Sequence, residues 1–487
     1  QDWGRKFLKP NGGCVYIDLD HLELCPPETL SAVDHAAAFH AMLRIARSAL
    51  RTANARLPSG VKIVAVVNNT DAHGHSYGSH QNFLVTRKCW DNLFHRRMHY
   101  LLYLASYQVS SVVFTGQGKV GSDNGTSRAP FVLSQRADFF ECLTGIQTTC
   151  RRPLINSRDE ALCGDYSAAP GPAADLARLH CIFYDANLCP AAIVLKTGVM
   201  QLILSLIEAG ETHADWILED PVEAVVRWSH DPHLNTRARL VNGQEVTAVE
   251  LQRRFLDDAT RFVERGGCEG IVPHARDILA LWADTLDKLA ARDLAALTPR
   301  LDWVLKLSLL QRALKQRPEL NWSSPELKHL DFSYGNLEDG LFWACQRSGA
   351  VEAANVTEER IQHFTQEPPE NTRAWTRAAL LRLAEPNTVD AVDWDSITFR
   401  LRDTDGWPKR RTVSLASPLE FTRAQTEMAF QRSAGLDEVL DLLGAPERDR
   451  VGSRQAVVVR DGPNAYETRS DYCFPPGEEP GPDPATP

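Results

Sequence analysis

Apolar residues at helical spacing first appear after Pro27. Leu30, Val33, Ala37, Leu43, Ile45 and Leu50 fall broadly on one face and predict a helix from Pro27-Glu28-Thr29 to about Asn54. Val61–Val67 is a short β-branched run of strand type, closed by the polar, Gly-containing stretch Asn68–Gly78. His80–Val85 predicts a second strand and Trp90–Ser106 an amphipathic helix. Phe131–Ser134, Pro153–Asn156 and Leu179–Tyr184 carry strand patterns, and Leu195–Ala209 the pattern of a buried helix. From Asp220 to about Asn321 the spacing is helical throughout, most clearly over Thr247–Arg265 and Ile278–Ala291. It breaks at Glu367-Pro368-Pro369. Beyond, Ser396–Leu401 and Arg411–Leu415 alternate like a hairpin across Asp403-Thr404-Asp405-Gly406. The elements predict an α+β body over residues 1–380 and a small β-containing domain over 381–470. Residues 471–487 form a Pro-, Gly- and acid-rich tail with the composition of a disordered segment.

Composition narrows the classes. The length of 487 residues holds two or three domains, and a net charge of -10 argues against non-specific nucleic-acid binding. The 11 cysteines are scattered, odd in number and without a C-x-x-C pair, which points to free thiols in a reducing compartment. No continuous apolar run reaches the roughly 18 residues of a membrane span, and Gln1–Lys6 lacks the pattern of a signal peptide. The chain reads as a cytoplasmic monomer with no nucleic-acid or membrane partner. It opens at Gln1 without Met, so a preceding segment, or a cleaved N-terminal fragment, is expected.

Candidate chemistry starts at Val15-Tyr16-Ile17, a strand that delivers Asp18, followed by His21 and Glu23. On an extended strand positions i and i+5 face opposite ways, so the strand must end before Glu23 for both acids to serve one site. Leu22–Pro27 reads as that ending. Such a carboxylate is a general base, a nucleophile or a magnesium ligand, or else a solvated turn residue. Asn68–Asn82 gathers Asn69, Asp71, His73, His75, His80 and Asn82 between two predicted strands, as a site or a polar hairpin loop would. His73-Gly74-His75 has no zinc spacing, and Gly116-Gln117-Gly118-Lys119 lacks the Walker spacing and reads as a turn. Arg151, Arg152, Arg158, Arg178 and His180 are the phosphate candidates, since guanidinium forks match phosphate oxygens; a single arginine is more often a surface ion pair. The basic helical stretch around Arg253, Arg254 and Arg261 is a candidate for partner contacts. Trp394 packs a domain junction or stacks on a purine.

Taken in order, these residues resemble the family of Pup ligases and depupylases, whose catalytic domain is glutamine-synthetase-like. The likeness covers nearly the whole chain, through Asn11-Gly12-Gly13, Tyr16–Glu23, Asn68–Asp71, Ser76-Tyr77-Gly78, Ser134–Asp138, Arg152–Glu160, Arg178–His180, Asp185–Asn187 and Thr372–Ala374. The Asp18-x-x-His21 spacing, Leu301–Lys306 and Trp322–Pro325 look more like the depupylase/Pup deamidase branch. The resemblance implies that Asp18 acts as nucleophile or base on the side-chain carbonyl of the C-terminal Gln or isopeptide-linked Glu of Pup. It assigns Tyr16, Glu23 and His180 to a magnesium site and Trp394, Arg178 and Arg158 to nucleotide. His21, Asn69, Asp71, His80 and Asn82 are further site candidates. The implied cofactors are ATP (or ADP with phosphate) and Mg2+; the implied partner is Pup, or a Pup-like modifier, and its conjugates. Cys14 stands where the family has a nucleotide-contacting Arg, Pro26 where the ligase has Thr, and Gln81 and Phe83 where Glu and Tyr are usual. The family's metal-holding Glu strand has no match before Asp18. A degenerate Pup-binding paralogue and an ATP-dependent ligase are the alternatives.

Overall fold

Three antiparallel strands open the structure in the order β1 (Lys6–Phe7), β2 (Cys14–Asp18), β3 (His21–Cys25). This is a computed structural model, and it describes residues 4–160, 162–163, 175–402, 406–445 and 447–448. Asn11-Gly12-Gly13 anchors the β1–β2 loop. The Asn11 amide donates to the Phe364 carbonyl (3.0 Å) and its oxygen accepts from Gly13 N–H (3.0 Å). Gly12 takes φ +71°, and a Cβ there would stand 2.8 Å from the Ala374 carbonyl oxygen.

Helix α1 (Ala32–Asn54) starts later than its apolar spacing predicts. Ser31 caps it by accepting from Asp34 N–H, while Glu28 is held outside the helix by Arg373 and Arg377. Val61–Val67 is not a strand. Its one described pairing is an isolated bridge, Val66 with Asn336, flanked by Val67 N–H to Gly335 (2.9 Å) and Leu337 N–H to Ala65 (3.0 Å). Val61, Ile63, Val64 and Val66 remain exposed, because strand propensity is realised only against a neighbouring strand.

Strand β4 (Gln81–Thr86) pairs antiparallel with β5 (Leu176–Cys181), placing Asn82 across from His180 and Leu84 across from Arg178. The predicted helix Trp90–Ser106 divides into Arg87–Asp91, a π-helical turn Asn92–Arg96, and Met98–Ser110, with a break at Arg97. Its last segment is buried almost all round rather than amphipathic. The helical stretch after Asp220 is interrupted by a small hairpin, Ala238–Arg239 with Glu245–Val246. Helix α2 (Pro190–Ala209) is, among the described residues, the one helix long and apolar enough to cross a membrane; 94% of its apolar window is buried in the core.

After α3 (Ala374–Leu383), strands β6 (Val389–Val392), β7 (Ser396–Arg402) and β8 (Pro408–Ser414) form an antiparallel meander, extended by Glu447–Arg448. Ile397, Phe399 and Val413 join Leu380, Leu381, Val439 and Leu440 in a hydrophobic cluster separate from the main one. The expected hairpin tip Asp403–Asp405 and the expected tail lie outside the described residues.

Candidate functional site

The strand ends before Glu23, as its spacing requires, but at Asp18 rather than in Leu22–Pro27, most of which belongs to β3. It turns back at Asp18 and resumes at His21. Leu19 (φ 43°) and Asp20 (φ 64°) form the two-residue turn, the positive φ pair that matches the twist of a tight hairpin. Residues directly opposite in such a pair share a face, as do alternate residues along a strand. Asp18 pairs with His21, Tyr16 with Glu23 and Cys14 with Cys25, so all six project from one face. The Tyr16 hydroxyl bonds to the Glu23 carboxylate, and burial raises the pKa of both groups. Continuing the register of Lys6 with Val15 sets Arg5 across from Tyr16; its guanidinium lies 5.8 Å from that ring. Asp18 and His21, at the tip, are exposed.

The loop after Val67 meets this tip through Tyr77, whose ring centroid is 4.2 Å from that of His21. Asp71 organises the loop, accepting from the N–H groups of His73 (2.8 Å) and His75 (3.1 Å) and pairing with His75 Nδ1 (2.7 Å). Asn69 is fully buried and bonds to Gln117, Gln135 and the Ala186 N–H. Asn69 is thereby enclosed, whereas Asp71 keeps part of its carboxylate exposed beside Tyr77. Arg136, buried, donates to the carbonyls of Tyr77 and Ile182, and burial beside Arg152 lowers its pKa to about 9. Gly78 leaves room for it, since a Cβ there would stand 2.6 Å from the guanidinium.

His80 and Asn82 share the outer face of the β4–β5 ladder with Arg178 and His180. Asn82 Oδ1 accepts from Arg178 (2.7 Å) and lies 2.8 Å from His180 Nδ1. The rings of His80 and His180 meet edge to face at 5.3 Å. Burial, then the nearby arginines, lower both histidines, His180 to about 3, so both are neutral at pH 7. His80 is exposed on one side and packed by the His180 ring on the other. The Glu160 carboxylate sits in the fork of Arg178 (2.6 Å) and Arg158 (3.4 Å), as an anionic ligand would.

Trp394 occupies the β6–β7 turn. Its ring meets Phe7 edge to face at 5.0 Å and lies 4.9 Å from the Arg377 guanidinium. Arg377 and Arg373 grip Glu28, lowering its pKa to about 2 against the cost of burial. Arg373 also donates to the carbonyls of Leu415 (2.8 Å) and Leu162 (2.8 Å), the latter two residues past Glu160. Arg5 closes the circuit through Asp393 at 2.9 Å. The circuit runs by contact from Trp394 through Arg377, Glu28 and Arg373 to Leu162, along the chain to Glu160, and on through Arg178 to the two histidines; Arg136, Tyr77 and the hairpin face lead by contact to Arg5, Asp393 and Trp394.

The metal set implied by the resemblance is not assembled. Among the described residues no three His, Cys, Asp or Glu side chains could together hold a metal ion. The Tyr16 hydroxyl is hydrogen-bonded to the Glu23 carboxylate, while His180 stands on another ladder with Asn82 and Arg178. For a nucleotide the donor set is better suited: Arg158 and Arg178 already hold a carboxylate, and Trp394 is only partly covered. Arg253 and Arg261, by contrast, are engaged by Asp287 and Asp258, beside a shallow recess of ≈ 480 Å³ lined by Arg253 and Glu250. That recess lies apart from the circuit of contacts, and we place the site by the converging side chains. Sequence reasoning did not single out Arg5, Glu28, Tyr77, Arg136, Arg373 and Arg377. Only Ser76-Tyr77-Gly78, Ser134–Asp138 and Thr372–Ala374, parts of the ordered motif set, pointed near four of them.

The chain is an α+β protein in which a small antiparallel sheet face, a loop folded on its tip and an arginine-lined ladder converge on one site. The family model described as Pup-ligase protein matches residues 2–398, and the chain belongs to this family. It is 36% identical over 449 residues to the Pup deamidase/depupylase of Mycobacterium tuberculosis (strain H37Rv), covering 91% of this chain and 84% of that protein. It is 35% identical over 430 residues to the Pup–protein ligase of Acidimicrobium ferrooxidans, covering 85% and 88%. The Pup ligase PafA, solved in complex with ADP, has the same fold, with TM-score 0.74, 24% identity and coverage of 91% and 90%.

Proposed function

We propose that this chain is an amidohydrolase of the depupylase/Pup deamidase type. It would cleave the side-chain amide, or isopeptide bond, at the C-terminal Gln or Glu of Pup or a Pup-like modifier. The observation that carries the reading is the hairpin tip: Asp18 is an exposed carboxylate beside His21, on the face that bears Tyr16 and Glu23. An amide is a poor electrophile, so a fixed carboxylate gains chiefly from proximity and orientation. Asp18 would attack the carbonyl carbon to form an anhydride while the C–N bond breaks and the ammonia or lysine amine leaves with a proton from water. A second water then hydrolyses the anhydride to restore the carboxylate. Alternatively, Asp18 would take a proton from the attacking water and pass it to the departing amine. His21, held by Tyr77, orients the tip. A nucleotide, ATP or ADP with phosphate, would lie between Trp394 and Arg158 and Arg178, supplying negative charge and a template beside the carboxylate.

The test uses Pup ending in Gln and a pupylated protein, with and without ATP and magnesium, read by mass spectrometry. Turnover that disappears in Asp18→Asn supports the reading; no turnover by the wild type in any condition rejects it. Cys14, Pro26 and Gln81, where the family carries other residues, favour one other reading, a non-catalytic Pup binder. In that case Pup binds equally well to wild type and Asp18→Asn and neither turns over. A ligase would instead consume ATP stoichiometrically.

A further inference from the structure

Arg5 belongs to none of the motifs that carry the site, yet it occupies the gap between its two halves. On one side its guanidinium lies 5.8 Å from the Tyr16 ring, in the same cross-strand row as Glu23. On the other, Nη1 donates to Asp393 Oδ1 at 2.9 Å, one residue before Trp394. Phe7, two residues along the same strand face, carries the Trp394 ring at 5.0 Å. A guanidinium between an aromatic platform and a carboxylate row stands where the phosphate chain of a stacked nucleotide would run.

The bland reading is a strap that ties β1 to the C-terminal sheet. The geometry makes it a weak one. The two side chains are 40% and 43% exposed, and water screens such pairs to little net stability. Phe7 against Trp394 and Arg377 already joins the same elements through packed rings. The Trp394 turn does not need Arg5 either, since Trp394 N–H bonds to Asp393 Oδ1 at 2.8 Å.

We infer that Arg5 is a phosphate-binding residue of this site, exchanging the Asp393 carboxylate for phosphate oxygens of a nucleoside di- or triphosphate. The inference rests on the nucleotide reading above. Exchange of one anionic acceptor for another costs the guanidinium little, and a fork-shaped donor suits phosphate.

Calorimetric titration of the full chain with ADP, pyrophosphate and adenosine tests it on wild type, Arg5→Ala, Arg5→Lys and Asp393→Asn. Asp393→Asn keeps the acceptor for Trp394 N–H and removes only the charge that competes for Arg5. Arg5→Ala should weaken ADP and pyrophosphate about ten-fold or more and leave adenosine unchanged. Arg5→Lys should retain part of the affinity, and Asp393→Asn should bind ADP at least as tightly as wild type. A strap would make Arg5→Ala and Asp393→Asn lose affinity together, for adenosine as well, and that result overturns the inference. So does ADP affinity in Arg5→Ala equal to wild type. Wild type that binds no ADP rejects the nucleotide reading itself, and the inference with it. Thermal melts of each variant identify any loss caused by misfolding.

Discussion

His40 sits on α1 among the rings of Phe39, Phe342 and Trp343, with Nε2 lacking a hydrogen-bond partner. Burial, aided by Arg44, lowers its pKa to about 4. Between the ordinary value near 6.5 and about 4 the unfolded chain binds the proton and the folded chain does not, so stability falls as pH falls through that window. Denaturant unfolding of His40→Leu should depend less on pH between 7 and 4 than wild type; an unchanged slope rejects the assignment. Glu28 acts lower, its stabilisation being lost from about 4.3 towards about 2. At this scale the sequence was only half legible. Asp18, Tyr16 and Glu23 stood out by type, and they do share a face. Asn69 and Asp71 stood out equally, yet their polar atoms serve a buried junction and a loop. A polar residue that satisfies its neighbours looks, in one dimension, like one that awaits a ligand.

The element that matters most is the β2–β3 hairpin, hidden by a correct rule applied to the wrong geometry. Alternation separates positions i and i+5 on a straight strand, but a two-residue turn restores them to one side. No Asn-Gly or Asp-Gly marked that turn; Leu19 and Asp20 adopt positive φ without glycine. The neighbouring Asn11-Gly12-Gly13 loop, in contrast, uses glycine of necessity. Gly12→Ala should cost more than about 1 kcal/mol, the usual penalty for a side chain in that region of φ, because its Cβ also meets the Ala374 carbonyl. A melting temperature equal to wild type would contradict it. Helices read well from periodicity, whereas Val61–Val67 read as a strand because propensity cannot reveal that a partner is lacking. Its outward edge and that of β3 pair with no described strand.

For the whole molecule, the α+β class and two hydrophobic clusters followed the pattern of apolar runs, but the join between them did not. Arg373 and Arg377, nearly inaccessible, reach from α3 to Glu28 before α1 and to the meander at Leu415 and Trp394. Long-range ion pairs leave no periodic trace in sequence. Arg377→Met leaves Glu28 to Arg373 alone and removes the donor to the Gly12 and Trp394 carbonyls, and should destabilise by roughly 1–3 kcal/mol, measured by urea unfolding. Loss below about 1 kcal/mol would show the pair to be dispensable. The circuit around the site also fixes when it can exist. Its last link joins residues 388 apart, Arg5 to Asp393, and the Asn11 anchor waits for Phe364, 353 residues on. During synthesis the β2–β3 hairpin emerges well before residues 364–393, and has neither its anchor nor its opposite wall until they have left the ribosome. A nascent chain that stops short of residue 393 thus carries the acid without the wall that faces it.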